Sequence, residues 1–428
     1  MAMKRILWIA LAAAGIPALG AALVVALNLR GEAALPATPQ ALPATPALVA
    51  RGEYLARAGN CMACHTAQGG ATYAGGRGID TPFGVVYTSN LTPDKATGIG
   101  TWSADEFWRA LHNGRSKDGR LLYPAFPYPN YTQVARDDSD AIFAFLQSLP
   151  AVNQANRAHA LRFPFNTQVA LGVWRALFFA PGSPSTDAGQ SAQWQRGAYL
   201  VNGLVHCAAC HTPRNALGAS NTSRAFGGGL IPVQNWYAPA LNAAAEAGVA
   251  HWPVQDVVAL LKTGVAPQGS VSGPMAEVVF RSTQYLSDAD AQAVAVYLQA
   301  LPQQPSTAAA ISRPSAAAMA RGDKVYGQHC AQCHGEQGEG KPGAFPALAG
   351  NRAVMLQDPT NLIRTVLQGG YLPATAGNPR PHGMPPFMQV LADDEVAAVS
   401  TFIRNAWGNQ APAVDTIGVY RARERRGS

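Results

Sequence analysis

The residues with the clearest chemistry in this chain are its six cysteines, because all six fall into three copies of one pattern. The copies read Cys61-Met62-Ala63-Cys64-His65, Cys207-Ala208-Ala209-Cys210-His211 and Cys330-Ala331-Gln332-Cys333-His334. Two thiols three residues apart lie on one helical turn and reach the two vinyl groups of one porphyrin. The next residue then offers an imidazole to the iron. The pattern therefore reads as covalent haem attachment, with Cys61, Cys64, Cys207, Cys210, Cys330 and Cys333 as thioether residues. His65, His211 and His334 are the proximal ligands. Three complete motifs imply three haem c groups, each with its iron. A redox dithiol belongs in a βαβ setting that this chain lacks, and zinc wants four ligands where each motif offers three. No cysteine is left over for a structural disulfide.

The sixth iron ligand sets much of a haem's potential; methionine raises it and is the common choice in electron-transfer haem proteins of this type. The repeat itself says where to look. In the second copy Met275 stands 11 residues after Gly264, and in the third Met384 stands 15 residues after Gly369, both within Gly/Pro-rich sequence. Met388 is the reserve for the third site. In the first copy the matching residue, 12 after Gly114, is Phe126, and no methionine occurs between Cys64 and Met275. A phenyl ring cannot ligate iron, so this haem is expected to be five-coordinate or to borrow a group such as His112 or Lys117. His159, His206, His251, His329 and His382 read as surface or packing residues. No Ser-His-Asp set, paired-carboxylate motif, phosphate loop or flavin fingerprint points to substrate chemistry, and no catalytic residue is assigned.

Three similar sets of helices must position these groups. Each set opens with a helical stretch before its cysteines: Arg51-Gly52-Glu53-Tyr54-Leu55, Arg196-Gly197-Ala198-Tyr199-Leu200 and Arg321-Gly322-Asp323-Lys324-Val325-Tyr326. An amphipathic middle helix follows, over 104–114, 253–264 and 359–369, with glycine as its stop. A closing helix with acidic residues at its positive end covers 137–149, 288–301 and 393–407. Strand signals are sparse, with Val85-Val86-Tyr87 the one stretch expected to pair briefly. The fold class predicted is all-α, with three tandem class I cytochrome c domains after an N-terminal transmembrane anchor. The boundaries are 1–30 for a signal-anchor helix, 31–50 for an Ala/Pro tether and 51–150 for the first domain. A connector covers 151–191, the second domain 192–302, a linker 303–315, the third domain 316–410 and a tail 411–428. The apolar stretch of the connector, 169–180, is too short to span a membrane and is expected to be a packing helix.

Composition supports several cores, with 48% hydrophobic and only 13% charged residues and a net charge of +7. The basic excess is dispersed apart from four arginines in the last eight residues, which read as a solvated tail. Nothing indicates nucleic-acid binding. Lys4 and Arg5 precede 22 residues, Ile6 to Leu27, without a charged member. At about 1.5 Å per residue this run matches a hydrocarbon core of ~30 Å, and it is longer than a usual signal-peptide core. It therefore predicts an uncleaved anchor in the bacterial cytoplasmic membrane, with the haem domains facing the periplasm.

With these residues in view, the sequence resembles the triple-haem cytochrome c subunits of bacterial membrane-bound dehydrogenases. The likeness runs from about Arg51 to Asn409 and rests on the three haem motifs and several further segments. These are Tyr87-Thr88-Ser89-Asn90-Leu91-Thr92-Pro93-Asp94, Thr97-Gly98-Ile99-Gly100, Asp118-Gly119-Arg120 and Gly273-Pro274-Met275-Ala276-Glu277. The resemblance implies an electron-transfer subunit that takes electrons from a separate catalytic chain and passes them to ubiquinone or a terminal oxidase. Phe126 departs from the Tyr-Pro-Ala-Met-Pro-Tyr of members paired with quinoprotein alcohol dehydrogenases, so a molybdenum, flavin or quinoprotein partner all stay open. Two alternatives are a haem enzyme acting on peroxide or oxygen at the first haem, and a gas-sensing haem protein.

Overall fold

In the computed structural model, residues 2–38, 42–184, 186–304 and 313–424 are described. They form two compact units: Met1–Leu55 with Cys64–Pro184, and Ala56–Ala63 with Ser185–Ser428. The expected linker 303–315 lies mostly outside the described residues.

One helical arrangement occurs three times. Opening helices Pro46–Ala58, Ala192–Tyr199 and Ala316–His329 cross closing helices Arg136–Gln147, Asp288–Gln299 and Asp393–Ile403. The second opening helix runs on through a π-turn, Leu200–Leu204. The crossing is tight because each opening helix presents a glycine there. A Cβ on Gly52, Gly197 or Gly322 would lie 1.8, 2.0 or 2.3 Å from the carbonyl oxygen of Ala141, Ala293 or Ala398. The arginine before each glycine pairs with an acid near the start of the closing helix: Arg51 with Asp138, Arg196 with Asp290 and Arg321 with Asp394. Apolar burial fills the space around each crossing, with Ile142 and Leu146 in the first repeat, Leu200 and Val294 in the second, and Val325 and Val399 in the third. Hydrophobic burial of this kind supplies most of the stability of such a domain.

The middle helices are Ala104–Asn113, Val254–Thr263 and Thr360–Gln368. The first has a full capping box, Ser103 with Glu106, and ends on Gly114 in the left-handed region. Phe107 and Leu111, Val257 and Leu261, and Ile363 and Leu367 are the buried rows. The apolar rows expected from sequence, with Leu260 in the second helix and Leu362 and Val366 in the third, overlap these faces but do not coincide with them, since Leu260 and Leu362 are only partly buried.

Two parts of the expected fold class are corrected. The chain is not all-α: a three-stranded sheet and three two-stranded ones lie among the helices. In the first, Gly78–Thr81 pairs with Gly84–Tyr87, which also pairs with Ala160–Leu161 of the connector. The others join Gly229–Ile231 to Trp236–Ala238, Val265–Ala266 to Gly269–Ser270, and Gly370–Tyr371 to Gly383–Met384. Glycine-rich loops carry little β-propensity, yet their backbone amides and carbonyls must still be paired. That need makes the hairpins.

The transmembrane anchor is corrected as well, because among the described residues no helix is long and apolar enough to cross a membrane. Residues Ala2–Leu29 form one helix with Pro17 inside it. Its C-terminal end has a partner within the chain. Asn28 donates to the Gly172 carbonyl (2.8 Å), Arg175 Nε donates to Asn28 Oδ1 (2.9 Å), and Arg30 donates to the Phe179 carbonyl (2.6 Å). Those partners belong to the connector helix Gln168–Phe178 and the residue after it. The apolar run thus ends in polar tertiary contacts. The tail differs from its expectation too: Thr416–Glu424 is a helix with Val419 fully buried, and Arg423 donates to Asp393 Oδ1 (2.6 Å).

Candidate haem sites

Each cysteine motif forms or abuts one helical turn: Cys61–Cys64, Ala208–His211 and Ala331–His334. The turn keeps both thiols on one face and brings the following imidazole beneath them. All six thiols are free of disulfides. Burial pushes the Cys207 thiol up to about 12 and that of Cys330 up to about 11. Such thiols resist becoming thiolates at neutral pH, contrary to what a redox dithiol needs. Among the described residues no cluster of three or more His, Cys, Asp and Glu is arranged for a metal ion.

The three histidines are held identically. His65 Nδ1 donates to the Ser89 carbonyl (2.7 Å), His211 Nδ1 to the Pro239 carbonyl (2.7 Å) and His334 Nδ1 to the Pro346 carbonyl (3.0 Å). A carbonyl can only accept, so Nδ1 carries the proton and Nε2 keeps its lone pair for a metal. Burial lowers the pKa of all three rings against the opposing effect of that bond, which keeps them neutral and able to ligate at pH 7. A ring fixed by an Nδ1–carbonyl bond is the usual second layer of a histidine–metal site. On this test the residues fit haem iron.

A second feature recurs at each site and was missed in the sequence. The carbonyl of each motif histidine accepts from a glycine amide: Gly75 at 2.8 Å, Gly228 at 2.9 Å and Gly340 at 2.8 Å. All three glycines have positive φ, at 77°, 68° and 67°. A Cβ on any of them would meet, within 2.5–2.6 Å, the backbone beside the carbonyl that holds the histidine. Two residues earlier, Tyr73, Phe226 and Gly338 are also left-handed, and their carbonyls accept from Leu91, Leu241 and Leu348. The loop after each motif is therefore folded back onto a Ser-Asn-Leu or Pro-Ala-Leu segment that supplies the clamping carbonyl.

The methionines occupy less uniform places. Met275 lies in the first turn of the helix Pro274–Arg281, after Gly273 with φ of 52°. Met384 lies in the short strand Gly383–Met384 and packs on the core of the third repeat. Met388 is backbone-bonded to Leu367 (3.0 Å) and its carbonyl accepts from Arg423. Phe126 bonds backbone to backbone with Tyr123 (3.0 Å), and its ring packs on Tyr131 at 5.4 Å between centroids. His112 stacks on Trp108 at 4.5 Å, and burial lowers its pKa. Lys117 is engaged by Glu106 (3.5 Å) and by the Thr101 carbonyl. Of the other histidines, His206 is held by backbone carbonyls including that of Gly59, and His159 accepts from the Tyr87 amide (3.1 Å). These are packing roles.

The Cytochrome c family model matches residues 49–150 and 319–407. The chain is similar to the cytochrome c subunit of an alcohol dehydrogenase (quinone) from Gluconobacter oxydans, 40% identical over 86% of this chain and 80% of that one. It is similar to the gluconate 2-dehydrogenase cytochrome c subunit of Pantoea cypripedii, 39% identical over 87% of this chain and 88% of that one. The fructose dehydrogenase cytochrome subunit of Gluconobacter japonicus is 33% identical over 94% of this chain and 87% of its own length.

Proposed function

This chain belongs to the family of dehydrogenase cytochrome c subunits, and from that premise we propose that it carries three haems c and relays electrons from a catalytic dehydrogenase subunit to a respiratory acceptor. Electron transfer is the work of the family. Haem c, when bound, supplies a one-electron iron couple. The remaining work falls to the protein. Cys61 with Cys64, Cys207 with Cys210, and Cys330 with Cys333 hold the group covalently. His65, His211 and His334 present Nε2, each ring fixed through Nδ1 by a backbone carbonyl. Met275 and Met384 supply thioethers at the second and third sites, and the first site has none. The acceptor is ubiquinone or a terminal oxidase, the partner is of molybdenum, flavin or quinoprotein type, and the haem domains face the periplasm. The names of the relatives make a partner that oxidises an alcohol, sugar or sugar acid the first to test.

The observation that carries this reading is the histidine clamp, built three times with the same donor, the same acceptor and the same glycine. No observation favours peroxide chemistry or gas sensing. A pyridine haemochrome assay on the matured protein is expected to give three haems per chain; two or fewer overturns the count. Purification of the native complex is expected to bring down a dehydrogenase chain with it.

A further inference from the structure

Within the second unit, the middle helix of the third repeat docks on the hairpin of the second. Asn361 makes a two-way bond to the backbone of Tyr237, accepting from its amide (2.9 Å) and donating to its carbonyl (2.7 Å). One turn on, the Arg364 guanidinium lies over the Trp236 ring, 4.8 Å from its centroid. The same ring packs on Gly273, where a Cβ would lie 2.6 Å from it. Gly273 begins the turn that carries Met275.

Arg364 is only 5% exposed. Nη2 donates to Gln368 Oε1 (3.1 Å), while Nε and Nη1 have no hydrogen-bond partner. Among the described residues it forms no ion pair, and burial alone lowers its pKa. The first repeat has an arginine at the matching place, five residues before the helix-ending glycine. There Arg109 donates to the Ser116 and Lys117 carbonyls and lies 4.0 Å from Glu32. Among the described residues, half-buried Arg109 has a carboxylate beside it and buried Arg364 does not. An uncompensated cation in a low-dielectric interior acts over longer distances than a paired one and disfavours any nearby gain of positive charge. Loss of one electron from iron is such a gain.

We infer that Arg364, reaching from the third repeat across Trp236, raises the redox potential of the haem site at His211 and Met275. The inference rests on the proposed ligation of that site. The couple concerned is one-electron, ferric to ferrous, with no bond made or broken and no proton required. Arg364 is a positioning residue: its contacts run to Trp236 and Gln368, not to His211 or Met275.

The test is spectroelectrochemical titration of the full, haem-loaded chain. Arg364→Gln is expected to lower one midpoint so that its ferrous-to-ferric ratio at fixed potential falls about tenfold, which is ~59 mV for a one-electron couple. The midpoint that moves should be the one displaced by Met275→His. Arg364→Lys keeps the charge and should restore most of the shift. Asn361→Ala loosens the docking, keeps the charge and should leave the midpoint near its wild-type value. Three unchanged midpoints in Arg364→Gln overturn the inference, as does an equal shift in Asn361→Ala, which would make the effect one of docking. A near-infrared sulfur-to-iron band unaltered by Met275→His overturns the ligand assignment, and the inference falls with it.

Discussion

An imidazole ligates iron well only while its ring is prevented from turning, and here a backbone carbonyl prevents it at His65, His211 and His334. Because the carbonyl belongs to the main chain, the glycine folded against it is what a mutation can reach. Gly228→Ala forces a Cβ to within 2.6 Å of the Ala240 amide at φ 68° and should cost about 2–4 kcal/mol. Gly119→Ala is the control: its φ is 85° but a Cβ there meets nothing within 4 Å, so the cost should be about 1 kcal/mol. Denaturant unfolding followed at the haem band measures both, and equal costs would remove the clamp from the explanation. Phe126 carries a second prediction. The ferric protein should show a near-infrared sulfur-to-iron band worth two haems, and Phe126→Met should raise it to three. A wild-type band that already integrates to three means the repeats are misaligned at this position. The motif cysteines and histidines were legible because their spacing is local and fixed by one helical turn. The clamping glycines were not, because they follow their histidines by 10, 17 and 6 residues. The Pro-Ala-Leu shared by the second and third repeats is a local signal for them.

At the scale of elements, each domain depends on a glycine and an arginine that stand side by side, and the two contribute very differently. Gly197 lets two helix backbones touch, since any Cβ would lie 2.0 Å from the Ala293 carbonyl oxygen. Arg196 reaches Asp290 at 2.8 Å with its side chain 36% exposed, where solvent screens the pair. Gly197→Ala should therefore destabilise the second repeat by roughly 3 kcal/mol or more, whereas Arg196→Ala should cost about 1 kcal/mol or less. Thermal unfolding of the two variants decides it, and a larger loss in Arg196→Ala would put the ion pair ahead of the close approach. The helices were readable in advance because apolar residues recur at helical spacing and stop at Gly114, Gly264 and Gly369. The hairpins were hidden for a physical reason. Gly78–Thr81 and Gly229–Ile231 have no alternating apolar face and exist to satisfy backbone groups in the loops that wrap the sites.

On the scale of the whole molecule, periodicity has least to say, since what matters is contact between residues far apart in sequence. The apolar run 6–27 reads as a membrane span by length alone, yet Asn28, the residue that follows it, is bonded to residues of the connector helix that no pattern links to it. The sequence reads a linker at 303–315 between the second and third repeats, and the second compact unit contains both repeats. Asn361 bonds to Tyr237, 124 residues away, Asn351 Nδ2 donates to Ser270 Oγ (3.1 Å), and the Arg352 amide donates to the Gln268 carbonyl (2.8 Å). Contacts of this kind couple the unfolding of two cores when their summed free energy exceeds the difference in stability between them. The sulfur-to-iron band offers a selective view, because the proposed ligands Met275 and Met384 would place it in these two repeats and not in the first. In the wild type that band should vanish in a single step with rising denaturant. In the double variant Asn361→Ala/Ser270→Ala, which removes two of the side-chain links and leaves the Asn351 cap of the third repeat in place, it should vanish in two. A single step in the variant would assign the coupling to other contacts, and two steps in the wild type would show the repeats to unfold independently from the start.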